Sequence, residues 1–327
     1  MNPRAKACGM DERRTSKAEL AMPSGYGQRH HEVFHRCSCW EGIAPAGFWV
    51  NFLGVKISTT FQSTSHTGHL PPSRDRYLKT EYPPFEERPP QLSGDEEEIE
   101  WAEVPEEYFE WIDLLEAVTS AKDHFTMMEL GAGWGRWIAN AAAALRQSNP
   151  LPYTLIAVEA EPTHFQWMKE HLENNDVELA CCQLIEAAVA DREGTIGFHT
   201  GTASWGGPAD WYGQAIGGPT PVKSVTLKSI LNSVTRPVDL LDMDVQGAEL
   251  MVLEAAAEAV HEKVKRVHVG THSQQIETGL RRLFKGFGWK NIYDFPAESQ
   301  CKTAWGQIKF QDGVQTWINP SVVSTRL

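Results

Sequence analysis

Residues 124–147 read HFTMMELGAGWGRWIANAAAALRQ. A short, nearly continuous apolar run (124–130) enters a turn with glycine at 131, 133 and 135, and an alanine-rich helical stretch follows. A buried strand passing through a glycine turn into a helix is the opening unit of a parallel α/β sheet. The same alternation continues downstream. YTLIAVEA (153–160) reads as a second strand and HFQWMKEHLENN (164–175) as its helix. CCQLIEAAVA (181–190) reads as a third strand, then a hairpin through TIGFHTG (195–201). VDLLDMD (238–244) is a fourth strand with AELMVLEAAAEAVHE (248–262) as the next helix. VKRVHVGTH (264–272) is a fifth, followed by a helix that turns Leu280, Leu283, Phe284 and Phe287 inward. WKNIYDF (289–295) and VQTWINP (314–320) complete the set. Residues 121–327 are therefore expected to form a doubly wound α/β domain of about seven strands.

Upstream, the character changes. Residues 1–45 lack periodicity and are expected to form a mobile tail. Residues 46–120 are expected to be an N-terminal extension. It holds a strand-like run at 47–61, a proline-rich stretch at 70–94 and an acidic amphipathic helix over 105–118. In that helix Tyr108, Trp111, Ile112, Leu115 and Val118 form one inward stripe, and the acidic beginning is expected to be solvated. The whole chain of 327 residues carries 30 basic against 43 acidic side chains, a net charge of −13. That excess opposes binding to phosphate backbones or anionic lipid. Neither a membrane span nor a signal peptide is expected, and six cysteines in this length are no disulfide framework. The expected location is cytoplasmic. His30, His31, His35, Cys37 and Cys39 cluster in sequence without zinc-site spacing, so no metal is expected.

In an open α/β sheet, ligands bind beyond the carboxyl ends of the strands. The turn after the first strand lets backbone approach a ligand, and the helix behind it offers free N–H groups. A dinucleotide fingerprint would place its third glycine at 136, where this chain has Arg136. Glu159, at the end of the second strand, can accept both hydroxyls of an adenosine ribose. Glu186 and Ala187, at the third strand end, occupy the position that borders an adenine.

The segment Glu129-Leu130-Gly131-Ala132-Gly133-Trp134-Gly135 resembles the first motif of class I S-adenosylmethionine methyltransferases. VDLLDMDVQGAELMVLEAA (238–256), EAAVADREGTIGF (186–198) and VTLKSIL (225–231) resemble the corresponding segments of the FkbM-type members of that superfamily. Two positions depart from the pattern: Asp242 replaces a usual lysine, and Gln246 a usual acid. The resemblance spans about residues 121–275. It implies a Rossmann-like class I methyltransferase fold and S-adenosylmethionine as cofactor. Glu129, Gly131, Ala132, Gly133 and Gly135 would then lie against the cofactor's methionine part. It further implies methyl transfer to a hydroxyl of a sugar or secondary metabolite, with a small-molecule or glycan acceptor. Asp244 and His272, ending the fourth and fifth strands, are the candidate catalytic groups. A non-catalytic S-adenosylmethionine-binding protein and an NAD-dependent oxidoreductase on a similar sheet are the alternatives. The glycine-rich stretch 202–218, with Trp205 and Trp211, is expected to cover the substrate.

Overall fold

The extended runs at 125–130 and 153–159 can bury both faces because almost every side chain in them is apolar, and that places them at the centre of a sheet. The structure, a computed structural model, describes residues 31–38, 40–61, 107–199 and 216–323. A 3-10 turn at Glu32–Arg36 precedes a small hairpin, β1 (Phe48–Val50) and β2 (Lys56–Ser58). Helix α1 (Tyr108–Ser120) leads into β3 (Phe125–Leu130), α2 (Arg136–Ser148), β4 (Tyr153–Glu159) and α3 (Pro162–Asn174). Then come β5 (Cys182–Glu186), β6 (Ala188–Ala190), β7 (Gly194–Phe198), β8 (Thr220–Thr226) and α4 (Leu227–Ser233). The chain continues through β9 (Leu240–Met243), α5 (Glu249–Ala255), α6 (Ala257–Lys263), β10 (Arg266–Thr271) and α7 (Gln274–Gly286). It closes with β11 (Lys290–Phe295), β12 (Ser299–Thr303), β13 (Gly306–Phe310), β14 (Gly313–Ile318) and α8 (Pro320–Val323).

The main sheet has seven strands in the order β11-β14-β10-β9-β3-β4-β5. β14 runs antiparallel to both neighbours, and the other pairings are parallel. This is the doubly wound arrangement of a mostly parallel α/β sheet. Winding reverses between β3 and β9, so the carboxyl ends of these two strands flank a crevice.

Alternation across the strands sorts the core into two layers. Met127, Leu155, Ala157, Leu240 and Val314 face α1 and α2. Met128, Ile156, Val158, Leu241, Met243, Val267 and Trp317 share a second cluster with residues of α4 to α7. All five members of the α1 stripe are buried.

Several expectations need correction. Residues 31–38 are not tail-like: Val33, Phe34 and Cys37 are buried, and the His31 N–H donates to the Tyr108 hydroxyl at 2.7 Å. Residues 1–30 and 39 lie outside the described residues. The first part of the acidic beginning, 95–106, lies outside the described residues, and Asp113 further along α1 is wholly buried. The run 181–190 is two strands, because the chain leaves the main sheet at Ala187 and joins a second sheet ordered β6-β8-β7. The helix after β9 breaks at Ala256 into α5 and α6. Among the described residues no helix is long and apolar enough to cross a membrane.

Candidate active site

The glycine turn forms where the sequence placed it. Gly131, Gly133 and Gly135 have φ of 79°, 53° and 71°, the left-handed region that a Cβ disfavours. At Gly131 the reason is also steric: a Cβ there would stand 1.8 Å from the Asp244 carbonyl oxygen. The Asp244 N–H in turn donates to Leu130 O at 2.9 Å. The turn after β3 and the exit of β9 are therefore in direct backbone contact across the switch point.

Carboxylates hold this turn from behind. Glu129 accepts from the N–H groups of Trp137 (3.3 Å) and Ile138 (3.0 Å), the first turn of α2. Burial, countered by those two bonds, pushes its carboxyl up to about 8. Glu159 accepts from Gly133 N–H at 2.6 Å and from Glu161 N–H at 2.7 Å, and burial raises it to about 7. Glu186 is exposed at the end of β5, in register with Glu159, and Ala187 is buried behind it.

An open cleft lies in front of the turn. Its lining includes Glu129, Gly131, Ala132, Gly133, Arg136 and Asp244. Gly135, Glu159, Glu186, Ala187 and His272 sit beside or behind the cleft and do not line it. Arg136, where a dinucleotide fingerprint would need glycine, reaches Glu107 at 3.4 Å and lies 4.7 Å over the Trp137 ring.

Asp244 and His272 come together. His272 Nε2 is 3.4 Å from Asp244 Oδ1 and 3.7 Å from Asp312 Oδ1, while its Nδ1 meets Glu249 Oε1 at 2.9 Å. Glu249 is fully buried at the start of α5, which gives it a role beyond dipole matching: it grips the imidazole. Burial alone would lower the His272 pKa. The Glu249 hydrogen bond and the charges of Asp244, Glu249 and Asp312 outweigh it and hold it at about 9. Asp244 is recessed between the cleft walls, with 44% of its side chain still reaching solvent. Desolvation, opposed by His272, raises it to about 6. Gln246, itself at φ 52°, donates its amide to Asp244 Oδ1 at 2.8 Å. Gly270 leaves room beside Asp244: a Cβ on it would be 3.5 Å from the Asp244 Cγ.

The sequence reading missed Glu107, Glu110, His268 and Asp312, all of which line the cleft. One signal was available. Glu110 and Asp113 lie one turn apart on α1, and Asp113 bonds His268 Nδ1 (2.7 Å), Arg266 and the Thr316 hydroxyl. Asp113 is held below the ordinary carboxylate range: burial opposes this, but Arg266, His268 and Thr316 prevail. Among the described residues neither His31, His35 nor Cys37 joins a group of three metal-ligand side chains. The loop carrying Trp205 and Trp211 lies outside the described residues.

The FkbM methyltransferase domain matches residues 129–295, from the acid that caps α2 to the end of β11. A protein of Jannaschia sp. (strain CCS1) that is named a methyltransferase is 29% identical over 229 residues, covering 65% of this chain and 79% of the relative. A solved FkbM methyltransferase of Methylobacillus flagellatus KT shares 12% identity at a TM-score of 0.40; the alignment covers 60% of this chain and 44% of that one. This chain thus spans less than half of that solved protein. A precorrin-6y C5,15-methyltransferase of Geobacter metallireducens GS-15 shares 11% identity at a TM-score of 0.38, covering 67% and 93%. With the matched domain spanning just over half of its length, from glycine turn to sixth strand, the chain belongs to the FkbM methyltransferase family.

Proposed function

We propose that the cleft binds S-adenosylmethionine and that the protein methylates a hydroxyl oxygen on a sugar or secondary-metabolite acceptor. The residues present fit this cofactor. The turn at 131–135 has no Cβ at its three positive-φ positions, Glu159 at the end of β4 holds that turn in place through the Gly133 N–H, and the cleft is rich in carboxylates that favour a cationic sulfonium. The bound cofactor would supply an activated methyl group.

The observation that carries the reading is the placement of Asp244. It is in backbone contact with the glycine turn, faces the cleft, and is held from behind by Gln246 and His272. In this arrangement Asp244 takes the proton from the acceptor hydroxyl, because it is the member of the pair that lines the cleft. His272 positions Asp244 and balances its charge. Glu249 fixes the imidazole ring through Nδ1 and leaves Nε2 directed at Asp244 and Asp312. Orientation of acceptor and cofactor supplies the larger part of the rate, on the order of 7–11 kcal/mol for well-aligned partners.

The test has two stages. Calorimetry with S-adenosylmethionine reads cofactor binding, with NAD as the contrast. Transfer of a labelled methyl group to a panel of hydroxylated acceptors then reads the reaction. Binding of NAD in place of S-adenosylmethionine would sink the cofactor assignment. Label found only on nitrogen or carbon would sink O-methylation.

A further inference from the structure

Three strands contribute one polar side chain each to a row across the middle of the sheet. Glu129 on β3 is in register with Asp242 on β9, and Asp242 with His268 on β10. Glu110 reaches the same place from α1. Glu129 is already engaged, since its oxygens accept the first N–H groups of α2. The other three are not satisfied by one another. Their ligand atoms lie within 4.8 Å of each other, and all three line the cleft.

Two further observations separate this group from an ordinary acidic patch. Asp242 is 5% exposed, yet among the described residues its carboxylate has no hydrogen-bond partner. His268 is 1% exposed and bonded only through Nδ1, to Asp113 at 2.7 Å. Asp113 is ionised by its Arg266 and Thr316 contacts, so it accepts, and Nδ1 must carry the proton. Nε2 therefore points a lone pair towards the cleft, its nearest carboxylate oxygen being Glu110 Oε1 at 3.9 Å. A carboxylate behind a histidine, fixing its tautomer, is the usual outer support of a metal-binding imidazole. Glu110, Asp242 and His268 thus present three acceptors to one point with no donor among them.

We propose that Glu110, Asp242 and His268 bind a divalent transition-metal cation in the wall of the cleft. One imidazole with two carboxylates suits Mn²⁺ and Zn²⁺ better than Mg²⁺, which prefers oxygen ligands alone. The site lies beside Asp244, two residues further along the same face of the chain. It does not rest on the methyl-transfer reading, because metal binding is measured without cofactor or acceptor.

The experiment uses the full chain, stripped with chelator and dialysed. Mn²⁺ is titrated in, read by loss of the free-ion electron paramagnetic resonance signal and by calorimetry. Saturable binding of one ion per chain is expected, with Zn²⁺ displacing Mn²⁺ because N/O sites bind Zn²⁺ more tightly in the general affinity order of divalent metals. Asp242→Asn and Glu110→Gln, each with a cooperative melt, should weaken Mn²⁺ at least tenfold. Asp244→Asn should hold its affinity within a few-fold. Three results overturn the proposal. One is a wild-type chain without saturable Mn²⁺ or Zn²⁺ binding. A second is retention of Mn²⁺ by folded Asp242→Asn and Glu110→Gln together with its loss in Asp244→Asn or His272→Gln, which moves the ion to the neighbouring Asp244–Glu249–His272 group. The third is stabilisation of the metal-free chain by methylammonium but by neither metal, which makes the row an ammonium site.

Discussion

His272 Nδ1 stands 2.9 Å from Glu249 Oε1, at the end of a strand and the start of a helix 23 positions apart in the chain. The bond leaves the opposite ring nitrogen between Asp244 and Asp312. An imidazole surrounded by three carboxylates is a charge-balancing group at neutral pH, which distinguishes it from the cleft-facing Asp244.

Asp244→Asn keeps the volume and removes the charge that faces the cleft. Methyl transfer is expected to fall by about 10²–10⁴, with cofactor affinity changing much less. Steady-state rates beside a calorimetric titration check this. Equal losses in rate and affinity would place Asp244 in cofactor binding instead.

Glu249→Gln should release the proton held on His272. Its pKa of about 9 is expected to drop towards the ordinary 6.5, which nuclear magnetic resonance of the ring can follow. The sign for stability follows from a raised folded-state value. The contribution of this imidazole is complete below pH 6.5 and fades as pH rises through about 9 in the wild type. The variant should lack that decline.

The glycines of the turn should separate into two kinds. Gly131→Ala places a Cβ 1.8 Å from the Asp244 carbonyl oxygen, so it should damage the fold itself, with backbone strain alone contributing about 1–3 kcal/mol. Gly133→Val should act on the ligand instead. A wild-type affinity in the micromolar range, about −8 kcal/mol, is expected to be lost. Normal binding by a folded Gly133→Val protein would show that the turn does not meet the cofactor.

Acid should destabilise the chain through His171. It is fully buried, with Nδ1 3.1 Å from Trp134 O and its ring against Trp134 and Phe61. Burial pushes its pKa down to about 4, so the unfolded chain binds a proton that the folded one refuses. Stability present above pH 6.5 is therefore lost as pH falls towards 4, on the order of 3 kcal/mol from this one group. Chemical denaturation at pH 7 and pH 4.5, on wild type and His171→Phe, measures it; equal pH slopes would refute the assignment.

Phe34 tests the segment ahead of the sheet domain. It is 4% exposed, packs on Phe52 at 6.2 Å and Tyr108 at 5.2 Å between ring centroids, and belongs to the same core as α1 and α2. Phe34→Ala should cost about 3–5 kcal/mol. Removing residues 1–45 should destabilise the protein, whatever the effect of removing 1–30. Unchanged melting after the longer deletion would refute this.

Much of the sheet was legible because β3, β4 and β9 are short, mostly apolar runs that end at a glycine or an acid. The hairpin β12–β13 escaped notice although a period of two was there, with Cys301, Ile308 and Phe310 buried between exposed Lys302 and Lys309. Its many polar residues hid the alternation. The break at Ala187 left no trace, since 187–190 is as apolar as a continuing strand would be. Helix α5 likewise ends at Ala255 amid strong helix formers, with no glycine or proline to mark it. Asp244 and His272 could be expected to lie together because each directly follows the end of a strand, and the two strands are neighbours. Glu110, Asp242 and His268 could not be brought together, because their meeting depends on strand register and on the rotation of α1 over the sheet. Neither is written in local sequence. The buried Asp113–Arg266 pair spans 153 positions and shows the same limit.

The contact between Gly131 and the Asp244 carbonyl makes the turn and the carboxylate parts of one rigid gauge. A displacement of either strand end carries both along, so the distance from glycine turn to Asp244 stays fixed while the strands breathe. Substitutions in the cleft wall contributed by α1 and Asp312 can then change what the cleft admits without resetting that distance. For anyone redesigning this protein, the tunable half and the calibrated half lie on opposite sides of the same opening.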